Sequence, residues 1–289
     1  MNTIPLHPRF GLIVQDVDLR DVTADHLYPD IRQAFETHSA LLFRGQDLDD
    51  AAHQRLGALF GPLENREAMA GHDAAFEVSS LSNQTASGLH QADDLRLLDL
   101  QANMLWHTDS TFLPTPALVN ILAAKAVPPS GGGETEIAST RAAWADMPGA
   151  LKDRLRDAVI WHRLSHSRAR ISPGLAALSR NTRWPDRPWR AVWPNPVTGE
   201  EALLIASHAF AVEGMGQAEG QALIDEAIAF CTQDEYVYSH RWQPGDVLIW
   251  DERATLHRGR PWDYSEERSL KSLCCSATEA DGLAAVRVV

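Results

Sequence analysis

The tetrapeptide Trp106-His107-Thr108-Asp109 carries two metal-capable side chains two residues apart. In an extended chain, positions i and i+2 project to one face, so His107 and Asp109 can grip a single ion together. A His-x-Asp triplet is common on protein surfaces. Here the apolar neighbours Leu105, Trp106 and Phe112 point to a partly buried site. His257 can supply a third ligand: it follows the apolar run Val247-Leu248-Ile249-Trp250-Asp251 and leads into Arg258-Gly259-Arg260. Two histidines and one carboxylate make a facial triad, which leaves three positions of a six-coordinate Fe(II) open. Two of those suit a chelating co-substrate and one suits dioxygen.

A chelating co-substrate also needs an anchor. Arg268 lies 11 residues after His257, at the head of the last strand-like run, Ser269 to Cys275. An arginine fork can hold a carboxylate bidentately; the plainer alternative is a surface salt bridge to Glu266 or Glu267. Thr135, just after the glycines 131–133, offers a hydroxyl.

The elements that must position these groups are legible in part. Leu27, Ile31, Ala34 and Phe35 share a helical face that Thr23 can cap, although Pro29 pushes the start of the helix towards itself. Ala40 to Phe43 reads as a buried strand, and Asp49 caps a helix that Gly61-Pro62 ends. Residues 66–100 show no clear pattern and read as a loop able to close over a site. The apolar run 117–127 is broken by Asn120 and Lys125, and 117–126 reads as a buried strand. A helical region opens at Ser139 or Thr140 and breaks near Pro148-Gly149. Leu203 to Ile205 reads as a strand after a Thr198-Gly199 turn, and Leu223, Ile224, Ala227, Ile228 and Cys231 mark an amphipathic helix. Strand signals fill the remainder, from Glu235 to Trp242, Asp246 to Asp251 and Ser269 to Cys275. With no βαβ rhythm and no internal repeat, the pattern favours a sandwich or barrel core with added helices.

Composition narrows the function classes. The 289 residues are 44% hydrophobic and 22% charged, a soluble globular composition, and at about 150 residues per domain the length suits two domains while leaving one large domain open. The 26 basic residues stand against 39 acidic ones, a formal net charge of −13. That balance, with no basic tail, argues against nucleic acid and anionic membranes as partners. No apolar run approaches a membrane span, and Met1 to Gly11 has no secretory signal character. The three cysteines, Cys231, Cys274 and Cys275, are no disulfide framework and suit a reducing cytoplasm. One stretch runs against the overall charge: 161–190 holds seven arginines against the single acid Asp186. It reads either as a solvated loop or as a basic lid that attracts an anion.

His107-Thr108-Asp109, His257 and Arg268, at that spacing, resemble the Fe(II)- and 2-oxoglutarate-dependent dioxygenases of the taurine dioxygenase / 2,4-dichlorophenoxyacetate dioxygenase family. The resemblance extends over nearly the whole chain. It includes Val17-Asp18-Leu19-Arg20, Leu42-Phe43-Arg44-Gly45-Gln46, Phe60-Gly61-Pro62-Leu63-Glu64, Gly132-Gly133-Glu134-Thr135 and His257-Arg258-Gly259-Arg260. Ile205-Ala206-Ser207-His208 with Val212-Glu213-Gly214 is similar to the phenoxyacetate branch. The resemblance implies a mainly β protein with added helices around a double-stranded β-helix (jelly roll, cupin-like) core, with 1–289 as a single domain. It implies Fe(II) on His107, Asp109 and His257, the distal carboxylate of 2-oxoglutarate on Arg268 and Thr135, and O2 at the last position. Asn103, four residues before His107, matches a substrate-pocket position, and His208 is assigned to the same pocket.

The sequence departs from the family at one instructive place. Both namesakes carry a second arginine four residues after the first, where this chain has Ser272. Along a strand Arg268, Leu270, Ser272 and Cys274 share one face and Lys271 points away, so Lys271 cannot replace it. Arg168 and Arg170 of the basic stretch are the expected replacements, serving a small anionic substrate such as an aryloxyalkanoate or sulfonate. Cys274 and Cys275 are expected as small buried hydrophobes. Two other readings use the same three ligands: a zinc hydrolase, which leaves Arg268 and Thr135 without a task, and a non-catalytic jelly-roll binding protein. The oligomeric state stays open, a homo-oligomer included.

Overall fold

A computed structural model describes residues 1–85, 88–89 and 94–288. Its centre is a seven-stranded sheet in the order Asn2–Pro5, Leu12–Gln15, Ala40–Phe43, Val247–Asp251, Ala117–Ala126, Ser269–Ser276, Ser79–Ser82. Pairing is antiparallel except between Leu12–Gln15 and Ala40–Phe43. A three-stranded antiparallel sheet, Val237–His240, Thr135–Ser139 and Thr255–Gly259, packs against it. Side chains of both sheets meet in one apolar cluster, with Leu122, Leu248, Trp250 and Leu270 from the first and Ile137 and Tyr238 from the second. This is the jelly-roll core.

Strand periodicity decides what each face does. In Ala117–Ala126, Val119, Ile121 and Ala123 pack on the outer side beneath the helices Tyr28–His38 and Asp50–Phe60. Asn120, Leu122 and Ala124 point the other way. Asn120 is thus a polar residue facing inward rather than a break in the strand. Asp49 caps its helix, accepting from Ala52 N at 2.7 Å, and Gly61 follows the last turn. Thr23 caps nothing: it pairs with His26 in a turn, and the helix begins at Tyr28 with Pro29 in the first turn, where a missing N–H costs no hydrogen bond.

Two segments read as loops carry regular structure. Within 66–100, Arg66–Met69 and Leu95–Ala102 are helices and Ser79–Ser82 pairs with the last strand; residues 86, 87 and 90–93 lie outside the described residues. The caps Asn65 and Asp94 start these helices, which are too short for periodicity to reveal. Within 161–190, three short helices, Leu164–Ala169, Pro173–Ala176 and Ser179–Thr182, precede a strand Arg187–Arg190 that pairs with Val159–His162.

Candidate active site

His107 and His257 are joined by reciprocal backbone hydrogen bonds, His107 N to His257 O at 3.0 Å and His257 N to His107 O at 2.8 Å. This bridge brings the two ring centroids to 4.1 Å. Thr108 between the ligands is fully buried, its hydroxyl lying between the carbonyls of Ile205 and Thr255. Alternation then turns Asp109 to the same side as His107. Asp109 Oδ1 lies 3.9 Å from His107 Nε2, and Oδ2 lies 3.8 Å from His257 Nε2. One ligand atom from each of the three falls within 4.8 Å of the others. Ser110 follows in the left-handed region (φ 65°), an uncommon conformation for a residue other than glycine, and reverses the chain so that Phe112 returns over the site.

The electrostatics suit a cation. Burial lowers the pKa of both imidazoles, His257 to about 3, so each is neutral at physiological pH with a lone pair to offer. His107 Nδ1 lies 2.7 Å from the Leu105 carbonyl, which keeps the proton there and leaves Nε2 free. Burial pushes the Asp109 carboxyl up, but the adjoining His257 and His107 imidazoles, the Arg66 charge and the Asn120 amide outweigh it and hold the group ionised. Asn120 Nδ2 donates to Asp109 Oδ2 at 2.8 Å, and Cys274 Sγ lies 3.5 Å from that oxygen. Glu252, fully buried, accepts from Asp109 N at 2.9 Å and from Trp250 Nε1 at 2.8 Å. Its carboxyl is held well above the usual range by burial and by the Asp109 charge.

These groups open on a cavity of about 850 Å³. Arg268 and Thr135 line it near the head of the last strand. Gly133 accounts for the glycine-rich loop: its φ is +66°, and a Cβ there would meet Arg268 Cδ and Nε at 2.7 Å. Arg268 Nε donates to Gly133 O at 2.9 Å, and Trp242 Nε1 donates to Thr135 Oγ1 at 3.1 Å. No carboxylate pairs with Arg268 among the described residues; Glu266 bonds Ser130 instead. Desolvation, only partly offset by Tyr264 and Glu134, pushes the Arg268 guanidinium down to about 10. A buried cation without a paired carboxylate among the described residues, lining the same cavity as a His-Asp-His cluster, fits a dicarboxylate co-substrate held at one end by the metal and at the other by Arg268.

Asn103, His208 and Arg168 also line the cavity. His208 stands edge-on to Phe112 at 5.0 Å and to His107 at 6.1 Å. Arg170 does not belong here: it is exposed and borders a separate groove with Met104, Trp106 and Ile228. Adjacent helical positions diverge, and Arg170 lies two residues beyond Arg168 at the end of a helix rather than along a strand. Three of the seven arginines in 161–190 are held by carboxylates, Arg163 on Asp186, Arg180 on Asp99 and Arg183 on Glu67. Cys275 is a small buried hydrophobe, whereas Cys274 faces Asp109. Sequence reasoning missed Arg66 and Glu252 as cavity or support residues. Asn120 did leave a signal, as a polar residue inside an apolar strand.

The profile of the family described as "Taurine catabolism dioxygenase TauD, TfdA family" matches residues 2–274. An alpha-ketoglutarate-dependent 2,4-dichlorophenoxyacetate dioxygenase of Cupriavidus pinatubonensis is 35% identical over 272 residues, covering 92% of this chain and 94% of the relative. An (S)-phenoxypropionate/alpha-ketoglutarate dioxygenase of Sphingobium herbicidovorans is 32% identical, covering 92% and 91%. The crystal structure of AAD-2 in complex with Mn(II) and N-oxalylglycine superposes with a TM-score of 0.87 at 29% identity, over 97% of this chain and 98% of that one. Fold, site and relatives together define a non-haem iron dioxygenase that uses Fe(II), 2-oxoglutarate and O2. The chain belongs to the TauD/TfdA family.

Proposed function

We propose that this single-domain enzyme hydroxylates a small organic acid, of the aryloxyalkanoate or sulfonate kind, with iron held by His107, Asp109 and His257. The observation that carries the reading is the convergence of those three ligands and the unpaired Arg268 on one cavity. Iron with 2-oxoglutarate and O2 supplies the oxidising power, with release of succinate and CO2. The protein's share is positioning and shielding. Glu252 and Asn120 fix Asp109 from its backbone and carboxylate sides, and the Leu105 carbonyl fixes the His107 tautomer. Arg268 and Thr135 take the distal carboxylate of 2-oxoglutarate. Asn103, His208 and Arg168 surround the substrate. Where the hydroxylated carbon bears an ether oxygen or a sulfonate, the product falls apart and the net reaction is cleavage.

Among the described residues no helix is long and apolar enough to cross a membrane, and all three cysteines are free thiols, which supports residence in a reducing cytoplasm. The test is a panel of 2,4-dichlorophenoxyacetate, phenoxypropionate, alkanesulfonates and alkyl sulfate esters, incubated with protein, Fe(II), 2-oxoglutarate and O2. Succinate should form with at least one acid, in proportion to the substrate consumed. A panel without succinate removes the substrate class, and failure to consume any 2-oxoglutarate removes the assigned site.

A further inference from the structure

Ser272 leaves no cation on the inner face of the last strand beyond Arg268. Its hydroxyl donates to Asn120 Oδ1 at 3.1 Å and so supports the Asp109 carboxylate instead. A positive charge nevertheless reaches that region from a different part of the chain. Residues 62–64 lie along the end of the last strand: Ser276 N donates to Pro62 O, Glu64 N donates to Cys274 O, both at 2.9 Å, and Leu63 bridges Cys275. Two residues on, Arg66 enters the cavity. Its Nε donates to Glu64 Oε1 at 2.6 Å and its Nη2 to Ser110 Oγ at 3.3 Å. Nη1 has no hydrogen-bond partner among the described residues, and the side chain remains 41% accessible.

The surroundings of Arg66 differ from those of Arg268. Its guanidinium carbon lies 5.5 Å from the centre of the Phe112 ring. Phe112 packs with Leu113, Leu164 and Trp184 into an apolar wall, most of which borders the cavity. Arg168 faces the same space. Among the described residues its buried Nε has no hydrogen-bond partner, and the carboxylate paired with it, Asp99, is 3.9 Å away and already bonded to Arg180. Burial lowers the Arg168 pKa, and the Arg66 charge contributes to the shift. Two guanidiniums that line one cavity and repel each other are relieved by an anion bound near both. Along the strand, the backbone positions of Arg268 and Cys274 are about 20 Å apart at ~3.3 Å per residue. Arg268 and Arg66 therefore serve different parts of the cavity.

Resting on the dioxygenase reading above, we propose that Arg66 is the residue that determines substrate specificity, receiving the acid group of the substrate in the role that Ser272 leaves empty. Arg168 adds charge to the same anion, and the apolar body of the substrate lies on Phe112, Leu164 and Trp184. The preferred ligand is an amphiphile, one carboxylate or sulfonate joined to an aromatic or alkyl body. A small zwitterion has nothing to place on that wall.

The experiment compares 2,4-dichlorophenoxyacetate with its neutral counterpart 2-(2,4-dichlorophenoxy)ethanol. Binding is measured by isothermal titration to protein loaded with Mn(II) and N-oxalylglycine. The wild type should prefer the acid by on the order of 30-fold or more, as a charge-assisted contact in a desolvated site implies. Arg66→Gln should remove most of that preference while leaving alcohol binding and N-oxalylglycine binding in place, and Arg66→Lys should restore part of it. Equal affinity of the wild type for acid and alcohol overturns the proposal, as does a preference that survives Arg66→Gln. Loss of N-oxalylglycine binding in Arg66→Gln, with the acid preference retained, assigns the charge to the co-substrate and also overturns it. A wild type that takes up neither Mn(II) nor N-oxalylglycine overturns the dioxygenase reading instead, and this proposal with it.

Discussion

Two buried arginines on opposite sides of the central sheet have opposite surroundings. Arg253, 2% exposed, donates to both oxygens of Asp251, to Glu36 Oε2 at 2.6 Å and to the Asp281 carbonyl. Glu36 in turn accepts from Arg32 and Asn195. The carboxylates raise the Arg253 pKa in spite of burial. Arg268, 6% exposed, has one carbonyl acceptor and a pKa pushed down to about 10. A buried charge must be compensated by something. Where the chain supplies the counter-charge, the cluster holds the fold together. Where it does not, and a cavity adjoins, the missing charge belongs to a ligand. Arg168 falls on the Arg268 side of this division, whereas Arg66 shares its charge with Glu64 and leaves part of its guanidinium open to the cavity.

The comparison breaks most completely at the metal. His107→Ala, Asp109→Ala or His257→Ala should abolish Mn(II) and Fe(II) binding at micromolar metal, read by titration, and all succinate release, because two ligands cannot define the triad. Retained 2-oxoglutarate decarboxylation in any of the three removes that residue from the site. The two arginines come next. Arg253→Met should cost about 3–5 kcal/mol of unfolding free energy, since buried Glu36 and Asp251 would lose the cation they share and keep only the flanking Arg32 and Arg141. Arg268→Ala should weaken 2-oxoglutarate binding by about 2–5 kcal/mol while the urea midpoint holds or rises. Equal losses of stability in the two variants would erase the distinction.

His162 sharpens the comparison from a third direction. It is fully buried, neither ring nitrogen has a partner among the described residues, and it does not line the cavity, so burial lowers its pKa to about 3. A polar group with neither counter-ion nor ligand stays neutral. Its folded pKa lies below the ordinary 6.5, so the unfolded chain binds the extra proton, and stability falls as pH drops from 6.5 towards about 3. Denaturant unfolding across that window should show a shallower acid loss in His162→Leu; an unchanged slope assigns the loss to other groups. The smallest effect belongs to Thr135→Ala, which removes a hydroxyl and should cost 2-oxoglutarate about 0.5–1.5 kcal/mol, or up to ~3 against a charged oxygen. A cost equal to that of Arg268→Ala would mean that the threonine, not the arginine, is the principal anchor.

Short-range pattern determined much of this protein from the sequence alone. A period of two placed His107 with Asp109, and Arg268 with Leu270, Ser272 and Cys274, because side chains on a strand alternate whatever the strand packs against. Apolar runs located the central strands, and the Asp49 cap located a helix end. The short helices in 66–100 and 161–190 escaped because one or two turns carry no readable period. Only the tertiary structure decided which distant groups complete the site. Glu252 meets Asp109 across 143 positions of chain, and Arg66 meets Ser110 across 44. Arg168 and Arg170 look alike in sequence, yet one lines the cavity and the other the outside. Charge is a property that composition reveals. Whether a charge is compensated depends on which carboxylate folds within reach of it, and that distance exists only once the sheets have packed.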